Sequence, residues 1–170
     1  PMKADDPPQR GGKLTVQAQA ALRDGGTVTV TTSLTVNVNG STSPADGGPL
    51  ATPAIPTNAG DQFVGAADAN RAPTLIYPND GAMLPPNLKR LEVHFTPKGG
   101  SDTKLYDVWF KGATSDVHYY TRCYANPASY TGSGCVLELD ETAYALVAES
   151  NKGQGPVQLK VRGSNEAAGT

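Results

Sequence analysis

Residues Pro73–Pro97 read P-T-L-I-Y-P-N-D-G-A-M-L-P-P-N-L-K-R-L-E-V-H-F-T-P, and this stretch decides the fold class. Thr74–Tyr77 is β-branched and aromatic. It stops at Pro78-Asn79-Asp80-Gly81, where a pre-set φ is followed by residues that tolerate turns. Beyond a proline-rich crossover, Leu91-Glu92-Val93-His94-Phe95 alternates apolar with polar, the period of a strand with one face in a core and one in water. Two short strands joined in this way predict a mainly β protein, an antiparallel sandwich of short strands.

The same period continues downstream. Leu105–Phe110 places Tyr106, Val108 and Phe110 on one face and Leu105, Asp107 and Trp109 on the other. Asp116–Cys123 sets Val117, Tyr119, Thr121 and Cys123 against His118, Tyr120 and Arg122, and Cys135–Leu139 is a further short strand. Asp140-Glu141-Thr142 opens a single helix: Asp140 can cap it, Glu141 suits the positive end of its dipole, and Gly153 stops it. Tyr144, Val147 and Ala148, with Leu146 beside them, form the docking face. A last strand follows Gly155-Pro156, with Val157, Leu159 and Val161 alternating with Gln158, Lys160 and Arg162.

Upstream, Pro1–Gly12 reads as a polar tail. Lys13–Leu22 and Thr27–Val38 form a hairpin about Arg23-Asp24-Gly25-Gly26. Its apolar side carries Leu14, Val16, Ala18, Ala20 and Leu22, then Val28, Val30, Leu34, Val36 and Val38. A hairpin alone is marginal in water, so this face is expected to be buried against something: the other strands of a truncated immunoglobulin-like domain, the downstream sandwich, or a neighbouring subunit whose strands the hairpin edge would take up. Asn39–Ala72, dense in Gly, Pro, Ser, Ala and Asp, has the composition of a linker, with Phe63 and Val64 as its points of attachment. Three regions result: 1–38, the tail and hairpin; 39–72, the linker; and 73–170, the sandwich.

Composition narrows the functional classes. With 38% hydrophobic and 18% charged residues, the 170-residue chain is globular in type, and its 19 Gly and 14 Pro imply many turns. A net charge of -2 with scattered Lys and Arg gives no footprint for nucleic acid or an anionic membrane. No apolar run approaches the ~20 residues of a membrane-spanning helix. Cys123 and Cys135 flank a loop of turn formers, and their pairing as a disulfide is expected to contribute about 3 kcal/mol. Such a bond belongs to an oxidising compartment: outside the cell, on its surface or in the periplasm.

Two resemblances follow from these residues. G-G-K-L-T-V-Q-A, a turn, then T-T-S-L-T-V-N-V resembles the last two strands of a bacterial immunoglobulin-like repeat. Pro73–Gly163 resembles a fibronectin-III-like or immunoglobulin-like module of secreted bacterial surface proteins. The P-T-L-I-Y-P-N-D-G opening, L-E-V-H-F, L-Y-D-V-W-F and the P-V-Q-L-K-V-R-G finish carry that likeness. A helix before the last strand departs from the usual pattern. With about six strand candidates, an edge strand is left unassigned or comes from the N-terminal hairpin. The resemblance implies a spacer or adhesive unit.

Signatures of catalysis are weak. Ser133 sits in G-S-G-C, not in a nucleophile elbow, and no phosphate-cradling loop precedes a helix. His94 and His118 are read as solvated imidazoles, although neighbouring strands would bring them near Asp107 or Glu92. Asp80 and Asp102 are read as turn residues before calcium ligands. Asn39-Gly40-Ser41 matches the short glycosylation sequon. The best binding hint is aromatic: Trp109 beside Asp107, and Tyr120 with His118 and Arg122, are groups that serve sugar stacking and protein interfaces. Burial of Trp109 under the helix or the N-terminal segment would remove the sugar platform. The expected role is a non-catalytic, cofactor-free structural or interaction module whose partners are other protein chains. The alternative is a carbohydrate-binding accessory module contacting glycan through Trp109, Tyr120, His118 and Arg122.

Overall fold

The computed structural model describes residues 11–42, 54–98, 103–123 and 134–166. In chain order its strands are β1 (Gly12–Ala21), β2 (Thr27–Val36), β3 (Val38–Thr42), β4 (Thr74–Tyr77), β5 (Arg90–Thr96), β6 (Leu105–Lys111), β7 (Ser115–Thr121), β8 (Cys135–Asp140) and β9 (Gln158–Ser164). Helix α1 (Glu141–Asn151) lies between the last two. One sheet has the order β4-β5-β8 and a second β3-β7-β6-β9; β1 and β2 pair only with each other. The protein is mainly β.

Alternation explains how the two larger sheets face each other. Leu91, Val93 and Phe95 of β5 and Leu137 and Leu139 of β8 meet Tyr106, Val108 and Phe110 of β6 and Val117 and Tyr119 of β7 in one buried cluster. Across the second sheet, register aligns Val117–Phe110–Leu159 and Tyr119–Val108–Val161 as two inward rows. Each row is buried at its β7 and β6 positions and only partly covered at β9.

Helix α1 forms where its sequence signals place it. The Asp140 carboxylate accepts from the Ala143 amide at 2.8 Å, satisfying one of the free N–H groups of the first turn. Gly153 takes a left-handed φ of 70° beyond the last turn. Tyr144 and Val147 are buried in the sandwich core, and the Tyr119 hydroxyl donates to the Ala143 carbonyl at 2.8 Å. The Cys123–Cys135 disulfide is formed and joins the end of β7 to the start of β8, hence one layer to the other. Ser133 and Asp102 lie outside the described residues.

Tyr119 gives the fold a measurable alkaline limit. Burial first, and the Asp140 carboxylate second, push its phenol up to about 12. An unfolded tyrosine titrates near ~10, so the unfolded chain releases this proton earlier. The contribution is therefore intact below pH ~10 and is lost as pH rises toward about 12. Tyr119→Phe forfeits about 1 kcal/mol of hydrogen bonding at neutral pH. Between pH ~9 and ~12, however, it should lose less stability than the wild type in denaturant titrations. Parallel losses in the two proteins would remove Tyr119 from this account.

The region upstream of Pro73 departs from expectation at two points. Val38 does not extend the hairpin: the second strand ends at Val36, and Val38 opens β3, which runs parallel to β7. Most of β3, and 3-10 helix at Ala59–Phe63 and Ala69–Arg71, occur inside the stretch with linker composition. Of the coverings expected for the apolar face of the hairpin, the sandwich of the same chain does not supply one. Leu14, Val16, Leu22, Val28, Val30 and Leu34 are 44–62% exposed.

Candidate functional site

Two places carry features beyond those needed to hold the sandwich: the outer face of the β3-β7-β6-β9 sheet and the β1–β2 hairpin. On the outer face, antiparallel register sets Tyr120 opposite Asp107 and Arg162, and His118 opposite Trp109 and Lys160. Side chains directly opposite one another on one face are in contact range, so the pairing itself assembles this cluster.

Asp107 is its centre. The residue is 0% exposed, and its carboxylate accepts from Arg162 Nε at 3.0 Å and from Arg162 Nη2. His118 Nδ1 lies 3.0 Å from both carboxylate oxygens. The other imidazole nitrogen faces Asp116 Oδ1 at 3.3 Å, and Asp116 also accepts from Trp109 Nε1 at 2.6 Å and from Lys111 Nζ at 2.5 Å. Burial raises the Asp116 pKa, but the Lys111 and Trp109 hydrogen bonds outweigh it and hold the carboxyl below its ordinary value.

Ring stacking fills the remaining directions. His118 stacks on Trp109 at 5.4 Å and on Tyr120 at 6.2 Å, and Tyr120 stacks on Phe63 at 5.9 Å. The Lys160 ammonium sits 5.2 Å from the Trp109 ring centroid, and the Arg162 guanidinium 5.6 Å. The imidazole comes from β7 and the two cations from β9, the strands that flank β6 on opposite sides.

The structure thus brings together three of the four sequence-predicted binding residues, Trp109, His118 and Tyr120. Arg122 lies farther along β7's exit, buried, with its guanidinium bonded to Glu166 at 2.7 and 2.9 Å and to the carbonyls of Lys104 and Ala54. Ile55, Ala59 and Phe63 pack on Leu105 and Tyr120, while Arg162 Nη1 donates to the Phe63 carbonyl at 3.2 Å. Residues 54–63 therefore form a partial third layer over this end of the sheet. Of the two attachment points expected there, Phe63 is packed, whereas Val64 is 77% exposed.

Chemically this arrangement is a brace. The reading of His118 as a solvated imidazole is corrected: its ring is flanked by two carboxylates and two aromatic planes, and its side chain is 23% exposed. His94 lies on the outer face of the other sheet, where Nε2 meets Glu92 at 2.9 Å, so the two histidines are on opposite sides of the sandwich. Among the described residues, no three of His, Cys, Asp and Glu converge as metal ligands would. Stacking on a sugar ring needs an open indole face, and His118, Lys160 and Arg162 already lie against the Trp109 ring. Asp107 and Arg162 were missing from the predicted set. Their facing positions depend on strand register, which alternation alone leaves open.

The hairpin is the second candidate. Register places Leu14 opposite Leu34, Ala18 opposite Val30 and Ala20 opposite Val28 on one face. Lys13, Thr15, Gln17 and Gln19 occupy the other, opposite Thr35, Ser33, Thr31 and Thr29. At its root Gly11 N–H donates to Ser150 Oγ at 3.0 Å, and Val38 N–H to the Thr114 carbonyl at 3.0 Å. A Cβ at Gly11 would run into the Thr114 carbonyl oxygen, so the close approach needs glycine. Ten residues per strand, at ~3.3 Å each, make an arm ~33 Å long fixed at one end.

The chain matches no protein-family model, no curated protein and no solved structure.

Proposed function

We propose that this protein is a non-catalytic structural and interaction module of the extracellular space, cell surface or periplasm, with the β1–β2 hairpin as its contact arm. The observation that carries the reading is the arm itself: a regular, two-faced hairpin whose aliphatic row lies 44–62% exposed. Contiguous exposed apolar surface of this kind marks interaction sites on proteins. The disulfide fits an oxidising compartment, and no helix among the described residues is long and apolar enough to cross a membrane.

An immunoglobulin-like or fibronectin-III-like type for residues 73–166 is part of this proposal. Its support is strand order. Counted from β4, the first, second and fifth strands form one layer, and the fourth, third and sixth lie side by side in the other, the Greek-key distribution of such sandwiches. The outer-face cluster then holds residues 54–63 in place and so positions what precedes them.

Hydrogen exchange on the dilute protein tests the arm. Amides of β1 and β2 are expected to exchange far faster than those of β5 and β6, because only local opening exposes them. Val30→Lys with Leu34→Lys should leave the sandwich melting transition within about 0.5 kcal/mol of the wild type. Arm amides as protected as those of β6, or a large loss of stability in the double variant, would mean that the arm is part of the core, and the reading would fall.

A further inference from the structure

From the geometry of its two unmatched features, we infer that this protein assembles head to tail. The β1–β2 arm of one copy adds to the outer edge of β9 in a second copy. This rests on the arm being a contact element, as proposed above.

The first feature is an open edge. β9 ends its sheet, pairing with β6 in continuous register over seven residues, and no backbone hydrogen bond among the described residues reaches its other side. Exposed strand edges are templates for added strands, and proteins usually guard them with bulges, prolines, edge lysines or inward charges; the Lys160 and Arg162 side chains of β9 are instead drawn onto the Trp109 ring. β4 has such a guard, a register shift between Leu75 and Tyr77 followed by Pro78. α1 packs on β8. β9 has neither bulge nor proline, and its inward residues Leu159 and Val161 are apolar and only partly covered. Val108 and Phe110, their neighbours on β6, are 0% and 4% exposed. One more strand with alternate apolar residues would complete both rows.

The second feature is the arm, which offers such strands. In its own copy it is rooted beside Ser150 and Thr114, next to β3 and β7, at the opposite end of the sheet from β9. Face-to-face pairing of two arms is the competing occupant, and area disfavours it. Six aliphatic residues, each about half exposed, offer on the order of 500 Å² per copy. A stable interface of standard size takes ~800 Å² per partner. Strand addition supplies main-chain hydrogen bonds as well as that face, the logic of β-augmentation. Donor and acceptor surfaces differ, so the contact is heterologous and propagates as a chain or closes as a ring.

Sedimentation velocity on the 170-residue protein over a concentration series tests this. The wild type is expected to form dimers and larger species as concentration rises. An arm-blocked variant, Val30→Lys with Leu34→Lys, and an edge-blocked variant, Val161→Lys, should each be monomeric. Their equimolar mixture should form a dimer and stop there, since one intact arm meets one intact edge. Hydrogen exchange on the wild type needs no variant: at high concentration β1, β2 and β9 should gain protection together. A wild type that stays monomeric at millimolar concentration overturns the inference and leaves the arm available to a different protein. Association that survives Val161→Lys, or protection gained by the arm and not by β9, overturns it in favour of arm–arm pairing.

Discussion

Asp107→Ala is expected to destabilise the protein by about 3 kcal/mol or more, a large part of the 5–15 kcal/mol that holds a typical domain together. The carboxylate is 0% exposed and receives two donors from Arg162 and one from His118. Removing it leaves a guanidinium held against the Trp109 and Phe63 rings without its counter-charge. Leaving one buried charge unpaired is what makes such truncations costly. The Arg162 side chain is 36% exposed and can turn toward water, which keeps the cost at the lower end of the range. Thermal melts of the variant measure the loss. Hydrogen exchange at Ala59–Phe63 should rise as well, because Arg162 also donates to the Phe63 carbonyl. Replacing the pair together, Asp107→Leu with Arg162→Met, removes both charges and should recover most of the stability. A double variant as unstable as Asp107→Ala would show that the ion pair was not the reason.

Phe95→Ala is expected to cost about 3–5 kcal/mol, from lost transfer energy and the cavity that remains. Phe95 is 1% exposed and reaches from one layer to the other, its ring 4.9 Å from that of Tyr106. The surrounding strands are paired on both sides of β5 and cannot collapse into the gap. Phe63→Ala removes the same group from the outer layer, where the ring is only partly buried on Tyr120. Less apolar area returns to water there, and the cost should stay below about 2 kcal/mol. Chemical denaturation of the two variants separates a core aromatic from a covering one. Equal losses would mean that residues 54–63 are as integral to the fold as β5.

Much of the architecture was legible because its signals are local. Val93, Phe95, Val108 and Phe110 alternate with polar residues, and that period alone states which side of each strand leaves water. Asp140, Glu141 and Gly153 mark the helix ends through groups within a turn of the backbone they satisfy. The Cys123–Cys135 bond closes a short loop between strands, and its partners had no rivals in a chain of two cysteines. Trp109, His118 and Tyr120 were also placed on outward positions correctly.

What those outward residues do was not legible. His118 looked solvated because alternation says only that a side chain leaves the core. It does not say that Asp107 and Arg162 arrive from neighbouring strands, or that Phe63 covers them from a distant segment. β3 was hidden for a related reason. Asn39-Gly40-Ser41-Thr42 has no strand pattern of its own and pairs because β7 offers an edge.

By itself, then, the chain determined its strands other than β3, its inward faces, its helix and its covalent link, since each depends on residues near one another in sequence. Only the tertiary structure decided strand order, the brace around Asp107, the open edge of β9 and the uncovered arm. Register and adjacency are set by contacts between distant segments, which period-two alternation satisfies equally well in many arrangements.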